Sequence, residues 1–191
     1  MSGARSGELT LDIGCGYGEL IAALTEVGCS VIGTEIDSTL VDACQGHGFD
    51  VRQGKAESLP FEDETFDRIV CSVVIPYTEE KKAIAEWART LKPGGRAYAT
   101  YHGIGYGMDY MLRGSRLKTR AYGIRMLANT GYFWATGRRL PGAMGDTTCQ
   151  STQRLRSYYR DLGLVLECEY IASTFLSFPR FICHQVSKTS S

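Results

Sequence analysis

Asp12, Gly14, Gly16 and Gly18 form the pattern D-x-G-x-G-x-G directly after the apolar run "LTLDI". Glycines at alternate positions accept left-handed backbone and let main-chain groups approach a ligand closely. The dinucleotide fingerprint G-x-G-x-x-G would place its third glycine at position 19, where this chain has Glu19. A carboxylate at a helix start also suits a pyrophosphate badly, because that anion sits at the helix N-terminus. A nicotinamide oxidoreductase is therefore disfavoured. Asp12, at the end of the strand, suits a ligand bearing an ammonium group. A second carboxylate, Glu35, follows "VIGT" and lies 17 residues after Gly18. A carboxylate there can accept both hydroxyls of a ribose. Asp37 competes for that role, but its place in "DST" suits a helix cap better.

These groups need a strand, a tight turn and a helix to hold them. Residues 9–13 read as a buried strand. Apolar residues at 20, 21, 23, 24 and 27 have helical spacing, with Gly28 placed to stop the helix. "SVIGT" is a second strand, followed by a helix from a Ser38 cap to about Gln45. "FDVRQG" holds a short third strand. "FDRIVCSVV" is a fourth, nearly all apolar, as expected of a strand covered on both faces. Thr78 is placed to cap the next helix, whose apolar stripe runs 83, 84, 87, 88 and 91 and which ends at Pro93-Gly94-Gly95. "RAYATYH" is the fifth strand. "TQRLRSYYRDLG" is a helix, and "LVLECEYI" and "RFICHQVS" are two further strands, most simply antiparallel. The expected fold is α/β and Rossmann-like. It has a seven-stranded, mostly parallel sheet with an antiparallel last strand, helices on both faces, and a helical insertion after the fifth strand.

A chain of 191 residues fits one domain. Within it, residues 9–101 form the binding half, 102–150 the insertion, and 151–187 a terminal helix and two strands. The seven cysteines are scattered and form no CxxC pair, so they read as small core residues rather than metal ligands or disulfides. No apolar run approaches a membrane span and "MSGARSGE" carries no apolar signal region, so the expected location is cytoplasmic.

Four ordered blocks, "LDIGCGYGEL", "VIGTEID", "GKAESLPFEDETFDRIVCSVV" and "LKPGG", resemble the class I S-adenosylmethionine-dependent methyltransferases, of the small-molecule type with a methyltransferase-11-like core. The resemblance is strong over residues 9–101 and weak over 151–187. It implies S-adenosylmethionine (SAM) as cofactor and S-adenosylhomocysteine (SAH) as product. It further implies that the backbone of Gly14, Cys15 and Gly16, with Gly18 completing the turn, packs against the methionine part. Asp12 would reach the amino group, Glu35 the ribose, Ile36 the adenine face, and Ala56 and Glu57 the adenine edge. Ser72 and Val73 would line the cleft near the sulfonium. Plain core packing is the alternative for Ile36 and Val73, a solvated loop acid for Glu57, and a ligand-free strand-end hydroxyl for Ser72. Two positions depart from the family pattern. Lys55 stands where an adenine-reading acid is common, and Pro76-Tyr77 where histidines are common. "IPY" superficially resembles the Asn-Pro-Pro-Tyr signature of amino-methyltransferases, but that motif would begin at Ser72, out of register.

Methyl transfer from a sulfonium needs a base only if the acceptor is protonated. His102, directly after the fifth strand, is the candidate base, with a structural loop histidine as the alternative. Tyr77 and Tyr101 are candidates to orient an acceptor. The insertion should set specificity. Between Gly103 and Arg156 lie nine Lys/Arg and two acids, Asp109 and Asp146. Arg113, Arg116, Arg120, Arg138 and Arg139 are candidates to hold a carboxylate or phosphate on a small-molecule acceptor that is anionic or aromatic. A membrane surface or nucleic acid is a less favoured partner for the same basic stretch. A non-catalytic SAM-binding partner subunit is the alternative from another class. Oligomeric state is not legible. Eight residues precede the first strand, where many relatives place one or two covering helices, so the expectation is either that the insertion does the covering or that the sequence is part of a longer chain.

Overall fold

The computed structural model describes residues 6–190; residues 1–5, most of the N-terminal segment read above for targeting, lie outside them. The strands are β1 (Leu9–Ile13), β2 (Ser30–Glu35), β3 (Val51–Gln53), β4 (Phe66–Ser72), β5 (Leu91–His102), β6 (Leu164–Phe175) and β7 (Phe178–Lys188). The helices are α1 (Glu19–Glu26), α2 (Ser38–Gly46), α3 (Glu80–Thr90), α4 (Ile104–Arg113), α5 (Leu117–Thr136) and α6 (Thr152–Asp161). The sheet order is β3-β2-β1-β4-β5-β7-β6. Only β7 runs against its neighbours β5 and β6. β1 pairs in parallel with β2 on one side and β4 on the other. The chain therefore reverses its winding direction beside β1, which opens a crevice at the carboxyl ends of these two strands.

Residue alternation along the strands builds two cores of unequal size. Leu11, Ile13, Ile69, Cys71, Ala97, Ala99 and Tyr101 pack with Ile84 and Trp87 of α3 and Leu155 and Tyr159 of α6. A smaller cluster joins Ile21 of α1, Val41 and Cys44 of α2, Cys15 and Val51. Each large apolar side chain so buried contributes about 1.5–3 kcal/mol. Cys15, Cys29, Cys44, Cys71 and Cys149 are buried, in keeping with their reading as packing residues, whereas Cys183 is half-buried and Cys168 is exposed.

Several local expectations change. Asp37, not Ser38, is the N-cap of α2, and its side chain accepts the Thr39 amide at 2.8 Å. Thr78 does not cap α3: its hydroxyl donates to the Ile75 carbonyl at 3.1 Å and closes a short 3-10 turn over Ile75–Tyr77. The cap position of α3 is Glu79, with no side-chain cap bond. That helix stops at Thr90 rather than at Pro93, because Leu91 already pairs with Phe66, and Pro93–Gly95 fall in the register shift of β5 against β4. The last two strands are longer than expected and meet in a two-residue turn. Leu176 and Ser177 there both hold positive φ, 47° and 65°, unusual for residues other than glycine, asparagine or aspartate.

The insertion folds as two helices, α4 and α5. Their close crossing is permitted by Gly123, where a Cβ would stand 2.4 Å from the Met111 nitrogen and 2.7 Å from the Gly107 oxygen. α4 rests on the end of the sheet through Tyr106, which packs on Phe181 and His102, and through the Asp109–Arg180 ion pair at 3.0 Å.

Candidate active site

A cavity of about 490 Å³ lies at the carboxyl ends of β1, β2 and β4. Its walls include Gly14, Glu35, Ile36, Ala56, Glu57, Ser72, Val73 and Tyr77. Eight of the residues singled out in the sequence thus meet in one cleft, drawn from five separate stretches of chain.

The glycine turn is held from beneath. The Gly14 and Cys15 amides both donate to the Thr34 carbonyl, at 2.8 and 3.0 Å. Gly14 has φ +69°, and a Cβ there would stand 2.4 Å from Val74 Cγ2, so only glycine lets the turn lie against the loop after β4. Glu35 Oε2 accepts the Gly16 amide at 3.1 Å, and Oε1 accepts the Ile36 and Asp37 amides at 2.7 and 3.2 Å. The carboxylate is thereby fixed at the cleft wall. Gly18 lies elsewhere: it is the cap position of α1, and a Cβ there would strike the Phe49 ring at 2.7 Å. Its role is packing at the start of the helix.

Asp12 is 3% exposed. Burial, with the Glu35 carboxylate as a second cause, raises its pKa to about 7. Two carboxylates in a poorly solvated turn form an environment that a cationic group relieves. An ammonium or sulfonium group fits that donor set; a pyrophosphate does not.

Ile36 is 60% exposed at the cleft edge, which removes plain core packing as its explanation and leaves an apolar platform. Val73, at the end of β4, holds φ +60°, a conformation that costs a β-branched residue about 1–3 kcal/mol. Its amide donates to the Thr100 carbonyl at 2.9 Å, so β5 pins the strained turn. Glu57 spends one oxygen on the Glu79 amide at 3.0 Å and so also ties the cleft to the start of α3.

The proposed chemistry-bearing residues divide. Tyr77 lines the cleft, and its hydroxyl meets that of Tyr122 of α5 at 3.4 Å. Tyr122 escaped the sequence reading, where it was one of many insertion aromatics. His102 stands one ring back: it stacks on Tyr106 at 3.8 Å and meets Tyr77 edge-on at 6.1 Å. It is 2% exposed, and burial lowers its pKa to about 4, which keeps the imidazole neutral at neutral pH. Tyr101 is not at the cleft. It is fully buried on the opposite face of β5, where its hydroxyl meets Tyr159 at 2.6 Å, because the alternation of a strand sends residues 101 and 102 to opposite sides.

Contrary to expectation, none of the five arginines lines the cleft. Arg113 lies over the Phe175 ring, and Arg120 donates to the Gly114 carbonyl at 2.9 Å. Arg116 is exposed at the cap position of α5. Arg139 donates to the Thr78 and Asp146 carbonyls and so braces the outer side of the cleft wall. Arg138 is exposed beside it. Of these five, only Arg113 and Arg120 lie within the insertion helices; Arg116 stands at the cap position of α5, Arg138 and Arg139 follow its end, and the insertion side chain that meets Tyr77 is Tyr122.

Among the described residues no helix is long and apolar enough to cross a membrane.

Residues 11–99 match the family described as "Methyltransferase domain". The tRNA (carboxymethyluridine(34)-5-O)-methyltransferase of Arabidopsis thaliana is 34% identical over 94 residues, covering 47% of this chain and 23% of that protein. The biotin biosynthesis bifunctional protein BioHC of Cellvibrio japonicus is 41% identical over 99 residues, covering 50% of this chain and 20% of its own length. The chain thus spans less than a quarter of either curated relative. The crystal structure of a SAM-dependent methyltransferase from Methanosarcina mazei superposes with a TM-score of 0.72 at 20% identity, covering 98% of this chain and 95% of that one, a likeness of fold. Together with the glycine turn, Glu35 and the sheet order, these matches support a class I SAM-dependent methyltransferase domain, with residues 11–99 as the part that matches the family.

Proposed function

We propose that this chain transfers a methyl group from SAM to a small-molecule acceptor with an aromatic or similarly flat reacting part, seated beneath α5. The observation that carries this is the meeting of Tyr77 and Tyr122 at the cleft. It brings α5 of the insertion to the edge of the cavity that Glu35, Gly14 and Tyr77 line.

In this reading Glu35 accepts the ribose hydroxyls, Ile36 supports the adenine face, and Ala56 and Glu57 border its edge. Asp12 balances the ammonium group, and the backbone of Gly14, Cys15 and Gly16 lies along the methionine part. Bound SAM supplies an activated methyl group, so the protein contributes mainly position and a dry setting. Ser72 and the strained Val73 shape the floor, and Tyr77 and Tyr122 orient the acceptor. For a hydroxyl acceptor His102 is the nearest neutral imidazole, reached by way of Tyr77. The low pKa of His102 makes it a weak base, which favours acceptors that need little deprotonation.

The test is tritium transfer from labelled SAM across a panel of phenols, aromatic carboxylates, amines and thiols, with tRNA alongside. Turnover of a small aromatic acceptor, and none with tRNA, is expected. Tight SAH binding with no turnover on any acceptor would instead favour a non-catalytic SAM-binding subunit.

A further inference from the structure

A second cavity, of about 540 Å³, lies between the start of α3 and the end of α5. Its walls hold five cations (Lys81, Lys82, Arg138, Arg139 and Arg154), two acids (Glu79 and Glu80) and the rings of Phe133 and Tyr158. The cations outnumber the acids: Lys81 pairs with Asp161 at 3.3 Å, Lys82 with Glu79 and Arg154 with Glu80, which leaves Arg138 and Arg139 without an ion pair among the described residues. Glu80 has a side chain only 2% exposed, and burial raises its pKa toward the neutral form. Glu79 is engaged with Lys82 at 2.9 Å in an exposed pair, which is worth little. The Arg138 side chain has no hydrogen bond or ion pair among the described residues.

The cavity also has direction. The first turn of α3 borders it, and no side chain caps that helix, whose first amides lack helical acceptors. Arg154 is held flat over Phe133, 4.1 Å from the ring centroid, while its Nε donates to the Tyr158 hydroxyl at 2.7 Å. Deep in the wall, Glu80 Oε2 is buried with no hydrogen-bond partner, 3.7 Å from Arg154 Nε. A positioned guanidinium, an unengaged one, a helix start and a buried carboxyl oxygen without a partner surround one space walled by two rings.

We propose that this cavity binds a phosphate monoester whose organic part lies against Phe133 and Tyr158. Arg138 and Arg154 pair with the phosphate oxygens, the first-turn amides of α3 add donors, and Arg139 stays engaged with the Thr78 and Asp146 carbonyls as a brace. A doubly charged group offsets the cation surplus, and guanidinium groups suit phosphate geometry. This site is separate from the methyl-donor cleft. The two linings share only Thr78, so the assignment does not depend on the proposed methyl transfer.

The experiment is calorimetric titration of the protein with inorganic phosphate and with phenyl phosphate, with and without saturating SAH. Saturable one-to-one binding is expected, tighter by several-fold for phenyl phosphate and compatible with bound SAH. Arg138→Gln should weaken it at least tenfold and leave SAH affinity unchanged. Arg154→Lys should weaken it likewise, with an unchanged circular dichroism spectrum as the check on folding. Arg116→Gln, exposed and outside the cavity, should leave binding at the wild-type level. The assignment is overturned by no saturation in the millimolar range, by equal affinity for the two phosphates, by equal losses in Arg138→Gln and Arg116→Gln, or by competition with SAH.

Discussion

The Glu35 carboxylate accepts the Gly16 amide at 3.1 Å, so the acid at the end of β2 and the glycine turn after β1 form one hydrogen-bonded unit. Glu35 therefore braces the turn, and in the proposed function it also accepts the ribose hydroxyls. Charge-assisted hydrogen bonds of this kind contribute about 1.5–3 kcal/mol each. Glu35→Gln leaves at least one of the three amides it accepts without an oxygen, and is expected to weaken SAH binding by tenfold or more in calorimetry and to lower the melting temperature by several degrees. Unchanged SAH affinity would remove Glu35 from the cofactor site.

The glycines of the turn are not equivalent. Gly14→Ala places a Cβ 2.4 Å from Val74 Cγ2 and also strains a left-handed residue, whereas Gly16→Ala meets no atom within 4 Å and bears the strain alone. That strain is about 1–2 kcal/mol. Denaturant unfolding should therefore show Gly14→Ala as clearly the less stable of the two. Equal losses would mean that the loop after β4 moves aside freely and does not define the cleft.

Asp12 makes the cleft sensitive to pH. Its pKa of about 7 in the fold lies above the ordinary 3.8, so between these values the native state holds a proton that the unfolded chain has lost. Stability from this group is full below pH 3.8, falls as pH rises through that window, and is lost above about 7. Asp12→Asn should remove this fall, gaining melting temperature relative to wild type at pH 8, while weakening SAH binding through loss of the ammonium partner. SAH binding to the wild type near pH 7 should release protons, read as a dependence of the calorimetric heat on buffer ionisation. No proton release, with full SAH affinity in Asp12→Asn, would contradict the pairing.

How much of this was legible in the sequence follows from the range of the forces involved. The strands β1 and β2, the tight turn at Gly14 and the place of Glu35 at the end of β2 are legible because turn geometry and strand alternation are local. Glu79 took the cap position of α3 from Thr78 because the Thr78 hydroxyl found a nearer acceptor at Ile75, a competition that spacing does not reveal. Tyr101 and His102 are neighbours in sequence and both are buried, and only the packing of α6 and α4 decides that Tyr101 meets Tyr159 while His102 lies against Tyr106. The arginines lie outside the cleft lining because contacts distant in sequence hold them, Arg113 over the Phe175 ring and Arg139 on the Thr78 carbonyl. The crossing of α4 and α5 at Gly123 sets the rotation of both helices, and that contact joins residues far apart along the chain.

The turn at Leu176 and Ser177 carries positive φ at both positions without an asparagine or glycine. Ser177→Gly should relieve strain of about 1–2 kcal/mol, partly offset by the greater freedom of glycine in the unfolded chain. A net rise in stability is expected in chemical denaturation, with SAH affinity unchanged because the turn is remote from the cleft lining. A loss of stability would mean that Ser177 makes a contribution that the backbone conformation does not account for.

His102 is the sharpest test of mechanism, because its environment allows two different roles. Burial holds its pKa near 4, below the ordinary 6.5, so its contribution to stability is present above pH 6.5 and is lost as pH falls through 4. His184, lowered to about 4 chiefly by burial, adds to the same acid loss. His102→Phe keeps a flat ring against Tyr106 and removes the titrating nitrogens. If the imidazole only fills space, the variant should lose part of the acid sensitivity between pH 6.5 and 4 and keep its turnover at pH 7.5. If it takes a proton from a hydroxyl acceptor, kcat should fall by the factor of about 10²–10⁴ typical of a lost general base, with SAM affinity unchanged. Because a base of such low pKa assists a phenol poorly, the expected result on an acceptor that is anionic or an amine is retained turnover. A large kcat loss on such an acceptor would show that His102 positions the acceptor through Tyr77 rather than accepting its proton, and Tyr77→Phe should then share the defect.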